Sequence, residues 1–175
     1  MTIGQGLARN AATGANLLVA LLLRYPAIGS ASVDTSGKQL RFTFLVSDRG
    51  SDQAALWVRH LEEMLNAYFA LERTHPEHCE LKYEAHAGLG LIHIKRDLNS
   101  IKQGEIALIV EAVEEQLGSD LRSEGPDFSL AQDDLLMQEE WIGYMLENIR
   151  TGDEPQSLLA FREGGRVLVY NANKS

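Results

Sequence analysis

The stretch SLLAFREGGRVLVYN, residues 157–171, constrains the fold more than any other part of the chain. Gly164-Gly165 supplies the two positive-φ residues that a tight type I′ turn needs, so the segment reads as a β-hairpin. Glu163 and Arg166 then face each other beside the turn. Farther out, Leu158 and Ala160 share one face with Val167 and Val169. Leu159 and Phe161 share the other with Leu168 and Tyr170. Both faces are apolar. Such a hairpin is covered twice, once by its own domain and once by a further helix or a second subunit. The pattern leads us to expect a homo-oligomer whose interface uses Leu158, Ala160, Val167 and Val169.

Two more hairpins precede this one. Asp34-Thr35-Ser36-Gly37 is a turn cluster, and after it Leu40, Phe42, Phe44 and Val46 alternate with Gln39, Arg41 and Thr43. That period of two gives one buried face and one wetter face. In CELKYEAHAGLGLIHIKRD, residues 79–97, Cys79, Leu81, Tyr83 and Ala85 share a face with Ile92 and Ile94. The opposite face collects Glu80, Lys82, Glu84 and His86 with His93 and Lys95. A turn at Ala87-Gly88 and a four-residue loop ending at Gly90 both preserve this division.

Helices fill the intervals. One covers 5–24 and is ended by Tyr25-Pro26, and a second starts at Ser51 and is stopped by His75-Pro76. Its stripe is Leu56/Trp57, Leu61, Met64/Leu65, Tyr68 and Leu71, with His60 beside it on the surface. A third, with Ser100 and Gln103 in capping-box spacing, carries Ile106, Ile109/Val110, Val113 and Leu117 and ends at Gly118. A fourth starts near Ser129, where Ser129 and Gln132 repeat the capping-box spacing, and carries Leu130, Met137, Trp141, Tyr144/Met145 and Ile149. The order α-ββ-α-ββ-α-α-ββ predicts an α+β fold, an antiparallel sheet of hairpins with helices packed on one face. We expect one domain: the helix 5–24, a hairpin-helix-hairpin-helix core over 28–123, and a C-terminal helix and hairpin over 129–171.

Charge narrows the partners. The 175 residues carry a net charge of −9, and the imbalance sits in residues 105–140, where 11 carboxylates stand against Arg122 alone. That surface repels phosphate backbones, which argues against nucleic acid as a partner and leaves a protein partner as the expectation. The apolar run 17–23 falls far short of the roughly 20 residues that cross a membrane. One cysteine makes no intrachain disulfide, which favours a reducing, cytoplasmic setting.

Chemistry is less legible. His75, His78 and Cys79 cluster in HPEHC, but a structural zinc site takes four ligands. Cys79 also shares the parity of Leu81 and Tyr83, as a small buried hydrophobe does. On the polar face of the 79–96 hairpin, the longer loop would set Glu84 opposite His93 with His86 diagonal to it. Two imidazoles and a carboxylate are a set that can hold a divalent metal or form a carboxylate-held general base. Arg41, Lys82 and Lys95 make that face modestly basic, suited to a phosphate or an acidic peptide. Glu111/Glu114 and Glu124/Asp127 have the spacing of paired magnesium carboxylates, but Gly125-Pro126 breaks the second pair. GLG at 88–90 lacks the third glycine of a dinucleotide loop. The reading is therefore a non-catalytic interaction or regulatory protein without a cofactor, with a small metal- or histidine-dependent enzyme on the 79–96 hairpin as the alternative.

Overall fold

A computed structural model describes residues 2–123, 132–152 and 155–172, with side chains described over 13–123, 134–152 and 155–172. Among these residues lie four α-helices and one seven-stranded sheet. The chain runs α1 (Thr2–Arg24), β1 (Ser30–Asp34), β2 (Gln39–Ser47), α2 (Ser51–Glu72), β3 (Cys79–His86), β4 (Leu89–Asp97) and α3 (Gln103–Leu117). After a single 3₁₀ turn come β5 (Leu121–Arg122), α4 (Gln132–Arg150), β6 (Ser157–Glu163) and β7 (Arg166–Asn171). The order and class are those the sequence predicts.

The strands run β3-β4-β2-β1-β6-β7, all antiparallel, with β5 paired to the far end of β2. Two ββα units, β1-β2-α2 and β3-β4-α3, meet along β2 and β4, and the C-terminal hairpin joins the sheet by pairing β6 with β1. The alternation of β2 is realised. Leu40, Phe42, Phe44 and Val46 are buried on one face, with Ala31, Val33, Ile92, Ile94 and Ala160 beside them. The helices lie over this face, and one apolar core joins it to Leu17, Leu21, Leu61, Leu65, Ile106 and Ile142.

Turn chemistry acts where expected. Asp34 Oδ1 accepts the backbone N–H groups of Ser36 and Gly37 at 3.1 and 3.2 Å, closing the first hairpin. Gly164 and Gly165 hold φ of 58° and 77°, as the type I′ turn requires, and Glu163 pairs with Arg166. Gly90 has a different reason to be glycine. A Cβ there would meet Tyr83 Oη at 2.4 Å and Val46 Cγ2 at 2.7 Å.

Helix ends and stripes differ in places. The third helix forms no capping box: Lys102 stands at its N-cap. Ser100 turns back to Asp97, and Gln103 donates to the Tyr25 hydroxyl at 2.9 Å. Likewise Ser51 does not cap α2, whose N-cap is Gly50. That helix closes at Arg73 in the left-handed conformation, two residues before His75. It buries Ala54, Trp57, Leu61, Leu65 and Phe69, while Leu71 is exposed. The last helix is turned from the expected stripe. Ile142, Met145, Leu146 and Ile149 are buried, and Met137, Trp141 and Tyr144 are exposed, the two rings stacked at 5.4 Å. Ser129, Leu130 and the Glu124/Asp127 pair lie outside the described residues.

Candidate functional site

The helices leave the other face of the sheet open among the described residues, and its register makes it a grid. One row across β7, β6, β1, β2, β4 and β3 reads Tyr170, Leu159, Ser32, Arg41, Lys95, Glu80. The next reads Leu168, Phe161, Ser30, Thr43, His93, Lys82. The face is therefore apolar at the C-terminal hairpin, neutral and small on β1, and cationic on β2, β3 and β4.

At the polar end the structure selects the two-residue turn Ala87-Gly88, with His86 opposite Leu89. Lys82, not Glu84, is then directly opposite His93. Glu84 still reaches His93 from the diagonal, with Nε2 and Oε2 3.3 Å apart. His86 stays at the turn, so Glu84 and His93 are brought together and His86 is not. Among the described residues no group of three His, Cys, Asp or Glu side chains is placed to hold a metal ion.

His93 is fixed on both sides. A carboxylate only accepts, so Nε2–H donates to Glu84 and Nδ1 accepts from the Thr43 hydroxyl at 2.9 Å. The hydrogen bond with His93 is the largest cause that holds the Glu84 carboxyl below the usual carboxylate range, against slight desolvation, with Lys82 adding to the effect. Thr43 is only 8% exposed. The trio orients the imidazole at the floor of a hollow of about 320 Å³ lined also by Arg41, Glu80, Lys82 and Lys95. A larger hollow, about 610 Å³, opens beside Leu45, Leu121 and Arg122. Its wall at Ser123 borders residues outside the described set.

At the apolar end the face expected to form the interface is the inner one. Leu158, Ala160, Val167 and Val169 pack against the core, where α1 passes with Gly14 close to Leu158. Ala160 is fully buried there, while Leu158, Val167 and Val169 are half-buried on the side where α1 packs. The uncovered apolar face is the alternate set, Leu159, Phe161, Leu168 and Tyr170, with the Phe161 and Tyr170 rings stacked at 5.3 Å. Arg162 shares the inner face and turns to the end of α1. It donates to the carbonyls of Leu22, Tyr25, Pro26 and Ile28.

The HPEHC corner is structural, and its anchor is a group that periodicity did not reveal. Arg96 is fully buried beneath it. Its Nε and Nη2 donate to the two Glu105 oxygens at 2.6 and 2.8 Å, and Nη1 donates to Asp97 and to the His78 carbonyl. The guanidinium also lies 5.1 Å from the Phe69 ring centre. Burial alone would lower the Arg96 pKa, but Glu105 and Asp97 outweigh it and raise the value. Asp97 is desolvated too, yet Ser100, the His78 N–H and Arg96 hold its carboxyl below the usual range. Cys79 corrects the expectation of a buried hydrophobe: on the edge strand β3 it is exposed. Desolvation by neighbouring atoms still pushes its thiol up to about 11, so it is a poor nucleophile at neutral pH. The signal for the cluster was the adjacency of Arg96 and Asp97 at a strand end whose parity points inward.

No protein-family model matches this chain, and no curated protein does. Among solved structures it is similar to a de novo designed protein, Ferredog-Diesel, over 51% of this chain and 86% of that one, at 19% identity and a TM-score of 0.35.

Proposed function

We propose that this chain is a non-catalytic interaction protein that self-associates through the outer face of its C-terminal hairpin. The observation that carries the reading is the two-sidedness of that hairpin. The α1 helix covers one apolar face, while Leu159, Phe161, Leu168 and Tyr170 stand on the open side of the sheet. Burying such a patch against its own copy removes apolar surface from water on both chains at once. The strand β7 is also a sheet edge, whose free backbone groups can pair with a second copy.

An acidic helical surface is left for a protein partner. Glu111, Glu114 and Glu115 on α3 and Asp134, Glu140 and Glu147 on α4 are exposed, beside the Trp141–Tyr144 stack. A reducing, cytoplasmic setting belongs to the same reading, since Cys79 has no second cysteine in this chain. No helix among the described residues is long and apolar enough to cross a membrane.

Light scattering and sedimentation equilibrium test the assembly. Wild type is expected to be a dimer at micromolar concentration. Phe161→Glu is expected to be a monomer with unchanged circular dichroism, and Val169→Ala a less stable dimer. A monomeric wild type, or a Phe161→Glu variant that still dimerises, would overturn the proposal.

A further inference from the structure

We infer that the polar end of the open sheet face is a binding basin for inorganic phosphate, formed by Arg41 and Lys95 with Lys82 and Glu80 at its rim. Arg41 on β2 and Lys95 on β4 are directly opposite in the register. Both are half-buried, and neither has a hydrogen-bond or ion-pair partner among the described residues. Like charges directly opposite in an antiparallel pair repel, with their Cβ atoms about 4.5–5.5 Å apart. An anion between them replaces that repulsion with two attractions. The guanidinium fork takes two oxygens and the ammonium a third. Lys82, only loosely tied to Glu84 at 3.7 Å, adds a further cation at the rim. The 320 Å³ hollow over these groups gives a tetrahedral oxyanion ample room.

The carboxylates decide which oxyanion fits. Glu80 is directly opposite Lys95 on β3, and its ion-pair contact is His78 at 3.5 Å. An ionised carboxylate accepts hydrogen bonds and donates none. Sulfate carries no proton, so its oxygens meet Glu80 as like charges. Hydrogenphosphate has the same shape and charge but keeps one P–O–H, which donates to Glu80. A phosphate ester dianion lacks that proton as well, so free phosphate is selected over a phosphorylated side chain. The basin is separated from the hairpin patch by Ser30 and Ser32 on β1, and the inference does not depend on self-association.

Titration calorimetry and thermal melts with sodium phosphate, against sulfate and chloride at matched ionic strength, test it. Wild type is expected to bind phosphate saturably in the millimolar range and to give no saturable response to sulfate. Arg41→Met and Lys95→Met, both on the open face, are expected to weaken phosphate binding by about tenfold or more. Glu80→Gln is expected to gain sulfate binding. Equal responses of wild type to phosphate and sulfate, no saturable response to phosphate, or binding that survives in both methionine variants would each overturn the inference. The wild-type comparison of the two anions needs no variant to fold.

Discussion

Replacing Arg96 by methionine is the sharpest test of how the second hairpin is anchored. Methionine keeps much of the aliphatic volume but removes every guanidinium donor. Glu105, 1% exposed, is then a buried carboxylate without a side-chain partner among the described residues, while Asp97 keeps Ser100 and the His78 N–H. Removing one partner of a buried ion pair costs about 3–5 kcal/mol, because the other charge stays behind unpaired. At about 2–4 °C per kcal/mol for a chain of this length, the melting midpoint falls by roughly 10 °C.

The sign of the pH dependence is part of the prediction. Wild-type Asp97 has its folded pKa depressed, with Arg96 among the causes. Its contribution is present above the unfolded value of about 3.9 and is lost as pH falls through the folded pKa. Urea denaturation curves of the two proteins should therefore converge on acidification. The double variant Arg96→Met/Glu105→Leu should recover most of the loss, since a well-packed apolar replacement of a buried pair is close to neutral. A neutral-pH deficit under about 1 kcal/mol, the size of a surface pair, would refute the reasoning. So would a double variant no better than Arg96→Met.

Two further substitutions probe close contacts. Gly90→Ala puts a methyl 2.4 Å from Tyr83 Oη, pushing that ring off Asp48, to which it donates at 2.9 Å. It should cost about 1–3 kcal/mol in urea denaturation, and a neutral result would show that the approach is not tight. Arg162→Met removes the guanidinium from four carbonyls at the end of α1, of which only that of Tyr25 keeps the Ile28 N–H, for about 1–3 kcal/mol. The Ile28 amide, bonded to the Tyr25 carbonyl, should then exchange faster with solvent, and unchanged exchange would show that Arg162 does not secure this turn.

What the sequence disclosed follows the range of the forces involved. Period-two alternation is local, so the buried faces of β2 and β4 were readable from Leu40 to Val46 and at Ile92 and Ile94, whereas on the edge strand β3 Cys79 is exposed. The Ile106–Leu117 stripe was readable for the same reason. Which side of a two-faced hairpin receives its own helix is not local. It depends on α1, more than a hundred residues upstream, and the expected interface set of Leu158, Ala160, Val167 and Val169 fell on the covered side. The turn at Ala87-Gly88 likewise decided that His86 stays away from His93, because a two-residue change of loop shifts every cross-strand neighbour. The α4 stripe was misplaced since Met137, Trp141 and Tyr144 fall at helical spacing yet are exposed, while the more apolar Ile142 and Leu146 beside them are the buried residues. Arg96 continues the inward parity of Ile92 and Ile94, but its pairing with Glu105 appears only in the convergence of β4 and α3 in space.

The position of α1 also sets an order on synthesis. Its end is held by Glu139 and Arg162, 115 and up to 140 residues downstream, and its apolar side packs on α4, β6 and β7. At about 5–20 residues per second, a ribosome needs on the order of ten seconds to deliver those partners. Through that interval Leu17, Leu18, Leu21 and Leu22 lack the cover that α4, β6 and β7 give them. The two ββα units can form meanwhile from contacts that are close in sequence. The leucine face of α1 thus closes only once α4 and the β6-β7 hairpin have been made, after both ββα units can already have formed.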